Sequence, residues 1–218
     1  MIDYTLKRSK RRTLSIEVTS RAEIIVKAPN RYPREVIDDF VESKKNWIEN
    51  QIYDARRTAY ALFKSGISLA PLEEEELKKL TKEAETEFKF LVDKWYPKVF
   101  PEESQGTQLS MFDYEEGSLT ELNPKEEKKR PRINRISIRH PKGRWGSCNI
   151  KGNLSFNCLL MLAPPEVRDY VVVHELCHFL QMNHSPAFWA EVRRAFPGYE
   201  APYNWLSENG RFLLERIK

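Results

Sequence analysis

The sequence predicts an α+β fold, and not a doubly wound sheet of alternating strands and helices. Residues 12–29 and parts of 133–162 alternate apolar and polar side chains with a period of two, which is typical of β-strands. Three other segments, 33–52, 71–99 and 164–217, place apolar residues three or four positions apart, as amphipathic helices do. Because strands and helices come in blocks, we expect small sheets packed against helices.

The composition is that of a globular protein. Of the 218 residues, 40% are hydrophobic and 31% are charged, which suits one domain with a substantial core. No apolar run approaches the length of a membrane span, and the N-terminus lacks the apolar segment of a secretory signal. The cysteines Cys148, Cys158 and Cys177 form no CxxC pair. This pattern favours free thiols in a reducing compartment, so we expect a cytoplasmic protein.

The first predicted element is a β-hairpin over RTLSIEVTSRAEIIVKAP (12–29), in which two strand-like runs flank a polar turn. Five of the six residues 7–12 (KRSKRR) are basic, although the net charge is only +4. Such a run can bind nucleic acid or another polyanion. A solvated strand or terminus is the simpler interpretation, and we favour it.

Two amphipathic helices are predicted next. Pro33 opens the first, whose apolar face comprises Val36, Ile37, Phe40, Val41, Trp47, Ile48 and Ile52. Pro71 opens the second, and the glutamates 73–76 lie near the positive end of its dipole. The stripe of this second helix consists of Leu77, Leu80, Ala84, Phe88, Leu91, Trp95 and Val99. Core packing explains that stripe fully, so we assign it no cofactor.

Residues 101–131 have no sustained period and are bracketed by prolines. We predict a mobile insertion or linker between residues 1–100 and 132–218 of a single domain. Within it, QLSMF (108–112) resembles the QLSLF-like motif with which bacterial proteins dock on the replication sliding clamp. Its anchors would be Gln108, Leu109, Met111 and Phe112. Clamp docking would imply a role near DNA, and packing of these residues on the domain is the alternative.

The C-terminal part begins with two predicted strands, INRISIRH (133–140) and LSFNCLLML (154–162), joined by a loop, PKGRWGSCNIKGN. Two prolines, Pro164 and Pro165, stop the second strand and start a helix over EVRDYVVVHELCHFLQMN. Two short helices follow, over SPAFWAEVRRAF and NWLSENGRFLLERI.

The helix after Pro165 contains the motif HExxH. His174 and His178 are four residues apart, so they share a helix face where two imidazoles can bind one metal ion. Glu175 lies about 100° around the helix, beside that site. The pattern predicts zinc, a water molecule activated by it, and Glu175 as the general base. The alternative is a histidine-rich buried helix, but burying unpaired polar side chains costs several kcal/mol.

His184 is the preferred third ligand. It follows His178 by six residues, the spacing of the metzincin motif HExxHxxGxxH, although Gln181 replaces the glycine. Asn183 suits a left-handed turn that ends the helix, and the following Ser-Pro suits the start of the next one. His184 would therefore lie at a sharp corner between two helices.

Several neighbouring residues have alternative roles. Glu191 and Glu200 are competing third ligands, but imidazole suits zinc better. Cys177 is expected to pack in the core, and His140 is a weaker candidate for a transition-state donor. A structural zinc would need a fourth protein ligand.

These stretches resemble the YgjP-like metallopeptidase family, a zincin-like group related to the SprT and WLM proteases. The resemblance rests on GRWGSCNIKGNLSFNCLLMLAPPEV, DYVVVHELCHFLQMNHSPAFW, NWLSENG, the hairpin segment and the helix ending in KKNWI. It implies a single zincin-like α+β domain with an N-terminal hairpin, a small sheet and the HExxH helix. It also implies zinc ligands at His174, His178 and His184, and a catalytic Glu175. Residues 101–131 do not match the family pattern.

The stretch RWGSC (144–148) is the other prominent family segment. Arg144 offers a rigid donor fork and Trp145 a large flat surface, so both are candidates for substrate contact. Packing of this loop against the HExxH helix is an equal alternative. Asn157, on the next strand, is open to the same two interpretations.

The sequence therefore predicts a zinc metallopeptidase that acts on a peptide or protein. One alternative is a metal-dependent hydrolase of a nucleotide phosphoanhydride, which no glycine-rich phosphate loop supports. Another is a non-catalytic, zinc-stabilised interaction module that docks through residues 108–112.

Overall fold

The structure is a computed structural model that describes residues 2–102 and 130–217. Most of the predicted insertion, including all of QLSMF, lies outside the described residues. The predictions of a linker and of clamp docking therefore stay predictions.

The N-terminal sheet contains the predicted hairpin. Strands β2 (Ser15–Val18) and β3 (Ile24–Pro29) pair antiparallel, as the alternating pattern indicates. A further strand, β1 (Thr5–Ser9), pairs in parallel with β3, which gives the order β1-β3-β2. Four of the five residues of β1 are exposed, so part of the basic run lies on a solvated edge strand.

Helices α1 (Arg34–Ser43) and α2 (Lys45–Lys64) replace the single predicted helical stretch, with a break at Lys44. Ile37, Val41 and Ile48 are buried with β3 in one hydrophobic cluster. The predicted burial of Val36 and Trp47 is wrong, because these side chains are 44% and 45% exposed. Because the chain breaks at Lys44, each helix has its own narrow apolar stripe. A prediction that treats residues 33–52 as one helix therefore assigns too many residues to the buried face.

Helix α3 (Glu74–Val99) confirms the second predicted helix. The backbone N–H of Glu73 donates to the carboxylate of Glu76 at 2.9 Å, one half of a reciprocal capping box at the helix start. The predicted stripe is core. Its members from Ala84 to Val99 are buried, Leu77 and Leu80 pack partly buried against the same cluster, and Val92, which was not predicted, is also buried.

The second sheet has the order β4-β6-β5, with β4 (Arg135–Arg139) parallel to β6 (Asn153–Asn157) and β5 (Gly146–Cys148) antiparallel to it. Two predictions are corrected here. The predicted loop 141–153 contains β5, and the predicted strand 154–162 ends at Asn157. Residues Cys158–Leu162 form a 3₁₀ helix, because the side chain of Asn157 accepts the backbone N–H of Leu159 at 3.0 Å and starts a helical turn.

Helices α4 (Pro165–Cys177), α5 (Pro186–Ala195) and α6 (Glu200–Leu214) complete the fold. Helix α4 is central, because it packs against α3, α5, α6 and β5 within the largest hydrophobic cluster. This helix ends at Cys177, whereas the sequence predicted helix as far as Asn183.

The N-terminal sheet contacts the C-terminal helix α6. Ser20 donates from its backbone to the Glu215 carboxylate at 2.9 Å, and Arg211 Nη1 donates to the Val18 carbonyl at 2.9 Å. These hydrogen bonds join the two ends of the chain.

Within residues 2–102 and 130–217, no helix combines the length and the apolar character that a membrane crossing requires.

Candidate metal centre

The three histidines of the motif converge. His174 lies on the last turn of α4, His178 follows the last residue of that helix, and His184 lies in the corner before α5. One ligand atom of each histidine lies within 4.8 Å of those of the other two. The Nε2 atoms of His174 and His184 are 3.0 Å apart. The structure thus brings together the three predicted ligands.

The corner between α4 and α5 positions His184. The backbone N–H groups of Leu180 and Gln181 both donate to the Cys177 carbonyl, at 2.9 and 3.0 Å, and close a tight turn. At the other side of the corner, Ser185 accepts the backbone N–H of Phe188 at 3.4 Å and caps α5, with Pro186 in the first turn. This capping confirms the predicted start of α5.

The predicted left-handed turn at Asn183 is wrong. Among the described non-glycine residues, positive φ occurs at Ala22 and not at Asn183. The helix ends at Cys177, six residues earlier, and the chain turns there, so no left-handed residue is needed at position 183.

Two hydrogen bonds orient the imidazole rings. His178 Nδ1 lies 3.1 Å from the Gln181 carbonyl, so it carries the proton and donates. This tautomer leaves His178 Nε2 as a lone-pair donor for a cation. The Tyr170 hydroxyl lies 3.3 Å from His174 Nδ1, one helical turn earlier on α4. Such outer partners fix ring orientation in metal-binding histidines.

The buried surroundings keep two of the rings neutral. Burial, followed by the neighbouring His178 and His184, lowers the pKa of His174 to about 3. Burial also lowers the pKa of His178. A neutral imidazole is the form that coordinates a metal, so at neutral pH no proton has to leave these two rings first.

One of the three nitrogen separations in the cluster is close to that of a tetrahedral zinc site. Zinc–nitrogen bonds of about 2.0–2.1 Å at tetrahedral angles place neighbouring nitrogens about 3.3–3.4 Å apart, close to the observed 3.0 Å. The cluster supplies three nitrogen ligands, which leaves one of four positions for water or substrate.

The competing ligands have other partners. Glu191 accepts from Arg194 Nε at 2.8 Å, and Glu200 accepts from Arg193 Nη2 at 3.4 Å. Neither carboxylate belongs to the histidine cluster.

Glu175 lies beside the cluster and is 5% exposed. It shares with His174 a cavity of about 340 Å³, here called the histidine pocket, which is also lined by Trp145, Gly146, Tyr170 and Tyr203. Burial raises the pKa of Glu175 to about 8. The carboxyl group can therefore gain and lose a proton near neutral pH.

Gly146 of β5 makes room for Glu175. A Cβ atom at residue 146 would lie 2.7 Å from Cγ and Cδ of the Glu175 side chain. Trp145, the preceding residue, lines the pocket and packs so closely on α6 that a Cβ at Gly210 would lie 2.9 Å from its ring. The RWGSC segment therefore supports the HExxH helix and also lines its pocket.

Asn157 holds the backbone of residues 141–144, at the start of the same segment, through hydrogen bonds. Its side chain is 1% exposed and donates to the carbonyls of Pro141 at 3.0 Å and Arg144 at 3.1 Å. Its side-chain oxygen accepts the N–H of Leu159. Both ends of the amide are engaged with backbone, which favours the supporting role over direct contact with substrate. The Arg144 side chain is exposed beside the pocket, and substrate contact stays a prediction for Arg144 and Trp145.

Two further candidates lie outside the cluster. Cys177 is fully buried in the main hydrophobic cluster, as predicted. His140 lines a depression against α3, next to Leu77 and Thr81, and does not line the histidine pocket.

Tyr170, Gly146 and Tyr203 are the site residues that sequence reasoning missed. Tyr170 precedes His174 by four residues on the same helix face, so helical spacing alone could have identified it. Gly146 and Tyr203 line the pocket from β5 and α6. A local sequence pattern cannot predict such contacts, because they depend on how distant elements pack together.

Comparison with known families gives one finding of broad coverage. A family model described as "YgjP-like, metallopeptidase domain" matches residues 12–209, which include the N-terminal hairpin, the histidine cluster and Glu175. Comparisons with curated proteins and with solved structures gave no match. The family indicates a metal-dependent hydrolase, and the three-histidine cluster could hold the metal ion. The chain belongs to the YgjP-like metallopeptidase family.

Proposed function

We propose that this protein is a zinc metallopeptidase in which His174, His178 and His184 hold the metal and Glu175 is the general base. One observation carries the proposal: three histidines converge within 4.8 Å, beside a buried glutamate, in a chain of a metallopeptidase family. Residues four apart on a helix and a residue from the next corner supply the three ligands.

The ring-orienting hydrogen bonds define what the protein contributes. When bound, zinc supplies Lewis acidity, makes water nucleophilic near neutral pH and favours the ionised form of Glu175. Tyr170 and the Gln181 carbonyl hold two imidazoles in the orientation that this binding needs. Glu175 takes the proton of the attacking water and passes it to the leaving amine.

The walls of the histidine pocket hold the substrate. Trp145 presents a flat apolar surface, and the hydroxyl-bearing Tyr203 and Ser207 of α6 line the same pocket. A peptide in this pocket would lie between β5 and α6, with its scissile carbonyl facing His174 and Glu175. Burial of Glu175 excludes bulk water from the proton that it transfers.

A catalytic metal is favoured over a structural one by the ligand count. Structural zinc sites normally close with four protein ligands, whereas this cluster has three among the residues that the structure describes. The metal centre also lies beside a hydrophobic core that contains large buried side chains from α3, α4 and β6. That core stabilises the fold by apolar burial, whether or not a metal is bound.

A peptide-library cleavage screen tests the proposal, with wild type and Glu175→Gln compared at equal zinc content. We expect zinc-dependent cleavage by wild type and a loss of about 10²–10⁴-fold in the variant, with unchanged circular dichroism. Full activity of Glu175→Gln would remove Glu175 as the base. If zinc-loaded wild type cleaves nucleoside triphosphates and no peptide, the protein is a phosphoanhydride hydrolase and not a peptidase.

A further inference from the structure

The outer face of the second sheet is polar and basic. Ile136 and Ile138 of β4 pack on the hydrophobic core, and because side chains alternate along a strand, Arg135, Ser137 and Arg139 share the opposite face. In the parallel register, Ser137 lies beside Ser155 of β6 and Arg135 beside Asn153. The outer face therefore carries hydroxyl, amide and guanidinium groups in rows.

A cavity of about 270 Å³ lies on this face. We call it the arginine groove, and define it by Arg135, Arg139, Arg144, Ser137, Ser155 and Trp145. No acidic residue lines it within the described chain. The arginines that form ion pairs among residues 2–102 and 130–217 are others, so the three guanidinium groups of the groove have no carboxylate within 4 Å there. Within the described part of the chain, the groove is thus a concentration of positive charge without an ion-pair partner.

The arginine groove adjoins the histidine pocket. Trp145 and Gly146 line both cavities, and Gly146 contacts the Glu175 side chain. A peptide long enough to fill the groove and extend past Trp145 would reach the pocket that holds His174 and Glu175. The shared lining residues place the groove next to the proposed substrate site.

The geometry of the groove matches an extended acidic peptide. Arg135, Ser137 and Arg139 are two residues apart along a strand, so their Cα atoms repeat at about 6.6–6.8 Å. Alternate side chains of an extended peptide repeat at the same distance. Guanidinium groups bind carboxylates through two parallel hydrogen bonds, and the serine hydroxyls add further donors.

The groove lacks the features of a nucleic-acid channel. Single-stranded nucleic acids bind basic grooves in which aromatic side chains stack on successive bases. The aromatic residues that line this groove are Trp145, which packs on Gly210, and Phe156, which is 1% exposed. Successive bases would therefore find no row of stacking surfaces.

We propose that the arginine groove binds an acidic segment of the polypeptide substrate and so selects peptides with carboxylates on one side of the scissile bond. The selection of a cleaved peptide rests on the proposed metallopeptidase function. The binding of an acidic peptide by the groove can be measured without turnover.

The test is a fluorescence-anisotropy titration of the zinc-loaded Glu175→Gln protein, at an ionic strength of about 0.15 M. The probe is a dye-labelled peptide in which glutamate alternates with serine, and its reference has glutamine in place of glutamate. We expect the glutamate peptide to bind at least about tenfold more tightly than the glutamine peptide. Adding Arg135→Gln and Arg139→Gln, singly and together, should remove most of this preference.

A matched control separates the groove from overall charge. Arg56 and Arg57 are exposed on α2, outside the groove, so Arg56→Gln with Arg57→Gln removes the same charge elsewhere. We expect this pair to change the affinity less than about twofold. An equal loss in both pairs, or no preference for the glutamate peptide, would overturn the proposal.

A second titration, with oligothymidylate as the probe, tests whether the groove binds nucleic acid instead of an acidic peptide. If it binds more tightly than the glutamate peptide, and loses this affinity in the Arg135/Arg139 double variant, the groove is a nucleic-acid site and the proposal is wrong. Because binding is measured in a protein without turnover, failure of peptide hydrolysis in wild type leaves this result unaffected. A groove that binds no acidic peptide in an enzyme that cleaves peptides would overturn the groove alone.

Discussion

The Glu175 side chain lies between α4 and β5. The size of residue 146 on β5 determines where its carboxyl group can lie. The absence of a side chain at Gly146 leaves the space that the carboxyl group fills. Gly143, three residues earlier, has no atom within 4 Å of its Cβ direction and tolerates a side chain. The two glycines of one segment therefore have different roles.

Gly146→Ala should displace Glu175. The added methyl group must overlap the carboxyl side chain, and overpacking of this kind costs about 1–3 kcal/mol. We expect peptide cleavage to fall by at least about tenfold while zinc content is retained, since the histidines are untouched. Gly143→Ala is the control and should change stability by less than about 0.5 kcal/mol. Equal effects of the two substitutions would contradict the role of Gly146.

The buried Glu175 should make the metal-free protein less stable as pH rises. Burial raises the pKa of Glu175 to about 8 in the folded protein, above its ordinary value of 4.5, so the folded state holds a proton that the unfolded state has lost. Its stabilising contribution is complete below the unfolded pKa and is lost as pH rises through the folded pKa.

Urea denaturation in the presence of a chelator measures this loss when the free energy of unfolding of wild type is compared with that of Glu175→Gln. Between pH about 5 and pH about 8, wild type should lose a few kcal/mol relative to Glu175→Gln, at up to about 1.4 kcal/mol per pH unit. The glutamine side chain has the same shape and does not titrate. Parallel pH profiles for both proteins would show that Glu175 is not buried as described.

Helical spacing predicted the positions of His174, Glu175 and His178, because residues within one turn have fixed relative directions. His184 was predicted through the capping sequence that follows it. The close approach of Gly146 to Glu175 was beyond sequence reasoning, since the two residues lie 29 positions apart (175 − 146) and meet only through the packing of β5 on α4.

At the scale of elements, the corner between α4 and α5 determines the metal centre. The prediction of the Ser-Pro start of α5 was confirmed, but the left-handed residue at Asn183 was not found. The strand prediction over 154–162 failed because an apolar run has the same hydrophobicity in a strand and in a 3₁₀ turn. The side-chain hydrogen bond of Asn157 decides between them at that point.

Ser185→Ala should loosen this corner. Loss of an N-cap hydroxyl costs about 1 kcal/mol of stability. Because His184 immediately precedes the cap, we expect a weaker zinc affinity as well, measured by competition with a chromophoric chelator. Ser185→Thr keeps a capping hydroxyl and should restore both properties. If alanine and threonine at this position gave the same zinc affinity, the cap would not position His184.

At the scale of the whole molecule, the buried apolar residues form an N-terminal cluster, a larger cluster built around α3 and α4, and a small third cluster between α2 and α6. Val26, Ala28 and Ile37 belong to the first cluster, whereas the residues around the metal centre belong to the second. The two hydrophobic patterns were readable in the sequence. Their relative placement depends on the packing of α2 on α6 and on hydrogen bonds of β2 and the following turn to Arg211 and Glu215, which no local pattern predicts.

Zinc removal should abolish turnover and leave the fold intact. The larger cluster consists of apolar side chains and includes none of the three histidines, so far-ultraviolet circular dichroism should not change in chelator. The melting temperature should fall, since a ligand at about 1,000 times its Kd stabilises the folded state by about 4 kcal/mol. Global unfolding on chelation would identify the metal as structural.

The most direct test of the metal centre is the zinc affinity of the purified chain, measured by chelator competition in wild type, His184→Ala and His140→Ala. His140 is exposed and lies outside the cluster, so its variant is the matched control. We predict one zinc per chain in wild type and in His140→Ala. Loss of a residue that only hydrogen-bonds to a metal ligand lowers metal affinity by up to about 100-fold. Because His184 is a ligand itself, the affinity of His184→Ala should fall by more than that. Wild-type affinity in His184→Ala, or no zinc binding by wild type, would contradict a metal centre built from α4 and the corner that follows it.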